Sequence, residues 1–357
     1  MRATEKSGLV QDVVTLTEMI APTGYEAPVQ AWLDERWSAA GAKVRHSRIG
    51  NLYAHVGGAG PKLAIAAHAD EISWRVKSIH ADGFLWLTPG AGGSELNPPY
   101  ASYLAQPCVV VTPKGHVPGV VGAATGHVAT KAQREANRID WGDVFLDIGA
   151  RSREEAVRWG VHAGAPVVPN VPTRRVGANL VGKAMDDRAA LAVMTQLLER
   201  VDRTRLAYDL WLVSTVQEEI GLVGASSVEG FDLAIALEVG LAGDIPTVGL
   251  DYVPARLGGG PILGHKDALV AYDVALTRRL QAVAEAAGIP VQHLVFHSFG
   301  SDGKAFMAND VPSALLAYPT RYTHSPIESV DEGDLEAMVR LLEAFVTQPA
   351  EPSGRTG

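Results

Sequence analysis

Apolar residues recur at helical spacing over Leu9 to Ile20 and again over Glu26 to Ala40, with the breakers Ala21-Pro22-Thr23-Gly24 between them. Gly41 then stands where a left-handed cap would end the second helix. The pattern next shortens to strands over Lys43 to Arg48, Asn51 to Val56 and Lys62 to Ala67, with Gly57-Gly58 turning the chain between the last two. The third of these, KLAIAA, is apolar throughout, which predicts a central strand carrying His68-Ala69-Asp70-Glu71 at its carboxyl end. From Ser73 to Val171 short alternating segments (SWRVKSI, GFLWLTP, CVVVT, DVFLDIG) are punctuated by Gly and Pro, with one helix expected over Ser152 to Trp159.

After Pro172 the α/β alternation resumes. Helices are expected over Met185 to Val201, Asp267 to Ala287 and Asp331 to Val346, the second ended by Gly288-Ile289-Pro290. Strands are expected over Leu206 to Val216, Asp232 to Glu238, His293 to His297 and Pro312 to Tyr318. The run LAYDLWLVSTV reads as a strand buried on both faces, and just past it stand two adjacent carboxylates, Glu218 and Glu219. In an extended strand such neighbours point to opposite faces, so both serve one site only where the chain turns; Gly221 and Gly224 can supply the turn. The fold class is α/β: a mixed central sheet flanked by helices, with a small β-rich domain inserted. The expected division is 1–72 and 172–357 for the catalytic domain and 73–171 for the insertion, with a disordered tail from about residue 348.

Composition narrows the partners. The 357 residues, 47% hydrophobic and 20% charged, suffice for a large core plus an insertion. With 31 Lys and Arg against 40 Asp and Glu, the formal charge is −9, and no basic run could follow a phosphate backbone, so nucleic acid is not expected as a partner. The start MRATEKSGLVQDV lacks the apolar core of a signal peptide, and no apolar run reaches the ~20 residues of a membrane helix; a cytoplasmic protein with no membrane association is expected. One cysteine, Cys108, rules out an intramolecular disulfide framework and thiolate metal clusters. In its apolar run it reads as a buried, inert thiol.

Acidic or imidazole groups occur at the expected carboxyl ends of core strands, or in loops beside them, at five places: His68 with Asp70, Asp186 with Asp187, Glu218 with Glu219, Glu238, and His324. Each alone has an ordinary structural explanation: a core histidine, a helix N-cap, a helix-start or strand-end charge, a Ser-Pro turn. Their joint position on the ligand-binding edge of one α/β sheet points instead to a site. Imidazole and carboxylate without thiolate suits zinc, cobalt or manganese, and a carboxylate can bridge two such ions about 3.5–4 Å apart. Asp70, two residues from His68, could fix its tautomer, and a glutamate beside a ligand but free of metal could carry a proton.

His68-Ala-Asp70-Glu71, Gly182-Lys-Ala-Met-Asp186-Asp187-Arg188, Val216-Gln-Glu218-Glu219-Ile-Gly221 and Arg321-Tyr-Thr-His324-Ser-Pro-Ile-Glu328 resemble, in order, the motifs of the glutamyl-aminopeptidase or tetrahedral (TET) aminopeptidase family. The resemblance spans residues ~20 to 345 and includes the segment from Asp147 to Ala156. It implies a metal-dependent aminopeptidase that hydrolyses peptides from the amino end through water activated by two divalent ions, zinc first, cobalt or manganese next. His68, Asp186, Glu219, Glu238 and His324 would be the ligands, Asp186 bridging; Glu218 would be the general base and Asp70 would orient His68. It further implies a PDZ-like dimerisation domain in the insertion, and dimers that build a twelve-subunit tetrahedron. The insertion lies between the first histidine and the bridging aspartate, whereas related carboxypeptidases and deacylases carry theirs later. Three positions depart from the family: Glu238 stands where Asp is usual, Ser73-Trp74-Arg75 where a Gly and a smaller apolar residue are expected, and Ser301-Asp302-Gly303 in place of a Thr-Asp-Ala pattern. A deacylase acting on blocked amino acids or peptides, and an assembly scaffold without turnover, are the competing expectations.

Overall fold

The computed structural model describes residues 8–91, 103–124, 126–131 and 141–348; the expected disordered tail lies almost wholly outside them. Helices α1 (Gly8–Glu18) and α2 (Ala27–Ala39) lead into strands β1 (Lys43–His46), β2 (Leu52–Gly57) and β3 (Lys62–His68). The insertion contributes β4 (Ser73–Ile79), β5 (Leu85–Ala91), β6 (Pro107–Thr112), β7 (Gly115–Ala123), β8 (Val144–Asp147), α3 (Arg153–Arg158) and β9 (Pro166–Pro169). There follow β10 (Arg174–Val176), β11 (Asn179–Gly182), α4 (Met185–Arg200), β12 (Asp209–Thr215), β13 (Leu233–Leu241), β14 (Ile262–Lys266), α5 (Val274–Ala286), β15 (Gln292–Val295), α6 (Asp302–Ala308), β16 (Ser313–Arg321), β17 (Glu328–Asp331) and α7 (Glu332–Thr347).

The central sheet is mixed, in the order β1-β2-β12-β3-β13-β16-β17-β11-β10, with β14 against β16 and β15 against β14. Its middle strands run parallel: β12 with β3, β3 with β13, β13 with β16. Successive residues of these strands divide between two apolar layers. Leu63, Ile65, Ile235, Leu237, Ala314 and Leu316 pack with Leu9, Leu33, Leu191, Leu280 and Leu342 of the helices, while Ala64, Ala66, Ala234, Ala236 and Leu315 pack with Phe296 and Phe306 on the other face. Burial on both faces explains why these strands read as continuous apolar runs rather than as alternating ones. The end of α2 is closed as its sequence suggests: Gly41 is left-handed at φ +83°, and Ala42 N–H reaches the Trp37 carbonyl at 3.0 Å.

The β-rich insertion closes into a six-stranded barrel, β4-β5-β8-β7-β6-β9, around its own core of Trp74, Val76, Leu85, Leu87, Val110, Leu146 and Val167. Cys108 is buried there and burial pushes its thiol up to about 12, in keeping with an inert side chain.

Several expectations need adjusting. The helix expected from Asp267 starts only at Val274, because Asp273 caps it by accepting Leu276 N–H at 2.8 Å. Asp267, fully buried, instead accepts the N–H groups of Leu269 and Val270 at 2.6 and 2.7 Å and forms a turn. The hairpin β10–β11, the strands β14 and β17, and helix α6 had no counterpart in the sequence reading. Among the described residues no helix is long and apolar enough to cross a membrane.

Candidate metal centre

Register brings the candidate residues to one level. His68 ends β3 opposite Thr215 of β12, and Ala236 of β13 pairs with Ala66, so Glu238, two residues on, stands level with His68. Past Thr215 the chain leaves the pleat at Gln217, whose φ is +55°, one residue before the expected glutamate pair. Both glutamate N–H groups then point back at one carboxylate: Asp70 accepts from Glu218 at 3.0 Å and from Glu219 at 3.3 Å. This is how neighbouring side chains come to serve one cluster. Asp186 and Asp187 sit at the start of α4 with non-helical angles, before the helix proper begins.

The seven residues to which the family resemblance gives a role, His68, Asp70, Asp186, Glu218, Glu219, Glu238 and His324, meet in the cluster. Asp186 Oδ1 lies 2.9 Å from His68 Nε2, and its Oδ2 lies 3.4 Å from His324 Nε2. His324 Nε2 is also 3.4 Å from Glu219 Oε2. His68 Nε2 is 3.9 Å from Glu238 Oε1 and 4.0 Å from Glu218 Oε2. Asp70 Oδ1 stands 3.4 Å from His68 Nδ1, and the Asp70 backbone carbonyl is 3.2 Å from the same nitrogen. The Asp70 carboxylate thus braces the glutamate pair as well as the histidine. It also accepts the Thr23 hydroxyl at 2.7 Å.

Two further carboxylates belong to the cluster. Asp187, fully buried, groups with His68 and Glu238, as Asp186 and Glu219 group with His68; within each trio the donor atoms lie within 4.8 Å of one another. Glu328 accepts Asp186 N–H and His324 N–H, both at 3.0 Å, and so ties the α4 start to the His324 loop. Asp187 was visible in sequence only as an acidic neighbour, and Glu328 only as part of a motif. Neither shows its role without the fold.

The electrostatics describe a crowd of acids short of positive charge. Burial pushes Glu218, Glu238 and Asp187 well above the usual carboxylate range and Glu219 up to about 7, aided by neighbouring carboxylates. Burial likewise lifts Glu328 to about 8 and Asp302 to about 6. Burial alone would lower both histidines. The hydrogen bonds of His68 to Asp186 and Asp70 outweigh it and hold His68 well above its ordinary value, and Glu219 with Asp186 lifts His324 to about 10. The same imidazoles, against the burial cost, hold Asp186 below the normal range. Glu219 Oε1 and Asp187 Oδ2 are buried without a hydrogen-bond partner. Nearby cations are engaged elsewhere: Lys183 Nζ donates to Glu71 at 2.7 Å, and Arg188 donates to the carbonyls of Leu16 and Ala21 and stands 3.8 Å from Glu71. The donor set, the crowding and the orphaned oxygens therefore fit divalent cations.

The Glu71–Lys183 pair is a structural tie, with both side chains 2% exposed. Lys183→Met leaves Glu71 buried without its closest cation and should cost about 3–5 kcal/mol, read as a lowered denaturation midpoint at unchanged slope.

A strand-end cluster of this composition on an α/β sheet with an inserted barrel is the class of site that could hold divalent cations, and similarity narrows it. Residues 50–341 match the model of the M42 glutamyl aminopeptidase family, and the chain belongs to that family. It is 33% identical over 316 residues to a lysyl aminopeptidase of Pyrococcus furiosus, covering 86% of this chain and 87% of that one. The solved TET aminopeptidase of a marine sediment Thaumarchaeota archaeon superposes with a TM-score of 0.88 at 30% identity, over 95% of this chain and 96% of that chain. The Pyrococcus horikoshii TET1 peptidase, described as assembling into a tetrahedron or a large octahedral shell, follows at 0.83 and 26%, over 95% and 99%. The protein is an aminopeptidase by family.

Proposed function

We propose that the cluster holds two divalent cations and that the protein removes N-terminal residues from peptides. The observation that carries this is Asp186: fully enclosed among acids, it turns one oxygen toward each of two histidines. His68 and Glu238 would hold one ion with Asp186, and Glu219 and His324 the other; zinc is the first candidate, cobalt and manganese the next. Asp187, whose donor atom lies within 4.8 Å of those of His68 and Glu238 and which accepts the Tyr318 hydroxyl at 2.8 Å, could add a ligand to the first ion. The longer arm of Glu238, compared with an aspartate, is accommodated by its own backbone: Val239 N–H donates to Oε1 at 2.9 Å.

When bound, such ions supply Lewis acidity toward the scissile carbonyl and make a nearby water acidic close to pH 7. The chain's own residues do the rest. Glu218, only 10% exposed at its side chain and with its carboxylate hydrogen-bonded to no described residue, takes the proton of the attacking water and returns it to the leaving amine. Burial, which raises its proton affinity, suits it to hold that proton between the two steps. Asp70 keeps Glu218 and Glu219 in register through their N–H groups. The barrel would serve as a dimerisation module for a larger homo-oligomer; assembly itself is supported by the likeness to the Pyrococcus horikoshii TET1 peptidase.

The test is a paired assay on short peptides with free and with acetylated amino ends, after adding zinc, cobalt or manganese. Release of the first residue only from the free-amine peptide is expected; preference for the acetylated peptide would make the protein a deacylase, and hydrolysis of neither would leave a scaffold.

A further inference from the structure

The barrel meets the edge of the cluster at two points, from Arg75 in β4 and from Tyr103 between β5 and β6. Trp74 faces the barrel core and packs edge-on against Tyr103, their rings 4.6 Å apart. Tyr103 is itself 6% exposed, yet its hydroxyl leaves the barrel and donates to the His324 carbonyl at 2.6 Å. Arg75, next in the strand, donates to the Thr23 carbonyl at 2.7 Å, and the Thr23 hydroxyl donates to Asp70. One barrel edge is therefore joined to both halves of the site.

The His324 contact matters most because His324 is the least supported member of the cluster. Its side chain is 37% exposed, against 10% or less for His68, Asp186, Glu218, Glu219 and Glu238. It sits at φ +59°, in the left-handed region that a residue with a Cβ disfavours. Packing does not hold such a ring; its backbone must. That backbone is fixed at both polar groups, the N–H by Glu328 at 3.0 Å and the carbonyl by Tyr103. Of the two, only Tyr103 comes from outside the catalytic domain.

We propose that Tyr103 is a positioning residue: by anchoring the His324 carbonyl it aims Nε2 at Asp186 and Glu219, so that the placement of the barrel is felt at the metal centre. The inference rests on the metal reading given above. Trp74, packed edge-on against the ring, is the brace that makes the reach of Tyr103 definite.

Tyr103→Phe keeps the ring on Trp74 and removes only the hydroxyl. Loaded with cobalt, it should bind the ion about 10- to 100-fold more weakly, the range typical when a partner behind a ligand is lost. Its visible cobalt bands should change, and kcat should fall with KM little altered, while the unfolding temperature stays close to that of the parent. Affinity within about threefold and an unchanged cobalt spectrum would overturn the proposal. His324→Ala is measured alongside. If it weakens cobalt and Tyr103→Phe does not, the strut alone fails; if His324→Ala leaves cobalt binding intact, the metal reading fails and takes the strut with it.

Discussion

Asp186→Asn is expected to abolish hydrolysis by losing metal rather than by losing the fold. The amide keeps the shape of the carboxylate but offers one acceptor oxygen and no charge, so it cannot face both His68 and His324 as Asp186 does at 2.9 and 3.4 Å. Bound metal should fall below one ion per chain, and kcat/KM should drop roughly a thousandfold or more, since a metal supplies several kcal/mol of transition-state stabilisation. Far-ultraviolet circular dichroism should be unchanged, because the α4 start is also held by the Glu328 bond to the residue 186 N–H, which the substitution leaves in place. Metal analysis and circular dichroism on the same preparation check both halves.

Glu218→Gln should behave in the opposite way with respect to metal. Glu218 lies next to Glu219 in sequence, but its nearest described cation is His68 Nε2 at 4.0 Å, and Glu219 is the one turned toward His324. The amide can still be oriented by Asp70 through the backbone N–H, yet it cannot carry a proton. A loss of roughly 10²–10⁴ in kcat is expected, the usual contribution of a positioned general base. Glu219→Gln, one residue on, should lose metal first. The contrast between neighbours separates a division of labour from a general loss of negative charge.

Much of this arrangement could be read from the chain because it follows from local rules. Continuous apolar runs marked the central strands, and a strand end in an α/β sheet is where ligands bind, so His68, Glu218, Glu219 and Glu238 were placed by periodicity and position. What escaped the sequence was decided by distant partners. Asp267 looked like part of a helix until its carboxylate was seen to be spent on Leu269, Val270 and Tyr272. The short strands β14 and β17 owe their form to distant partners, β15 and β16 for the first and β11 and β16 for the second, and Gly221 was the obvious turn although Gln217 takes the first positive φ. Glu328, quoted only within a motif, and Tyr103 could not be given a place by sequence because each meets the cluster through backbone groups, Glu328 through Asp186 and His324 and Tyr103 through His324. No pattern along the chain encodes which carbonyl a tyrosine will find.

The barrel also gains a second meaning. An insertion joined at two short crossings could serve assembly alone, but the hydrogen bonds of Arg75 in β4 to Thr23 and of Tyr103, between β5 and β6, to His324 tie it to both sides of the cluster. On the proposed reading, its placement and the geometry of the candidate metal centre are one property.

The most direct test is to measure metal content and peptide turnover of Glu218→Gln on one metal-reconstituted sample beside the parent. Two ions per chain with turnover reduced at least a hundredfold is the expected result. Turnover within tenfold of the parent, or metal lost in proportion to activity, would contradict the assignment of Glu218 as the proton carrier of a two-ion centre.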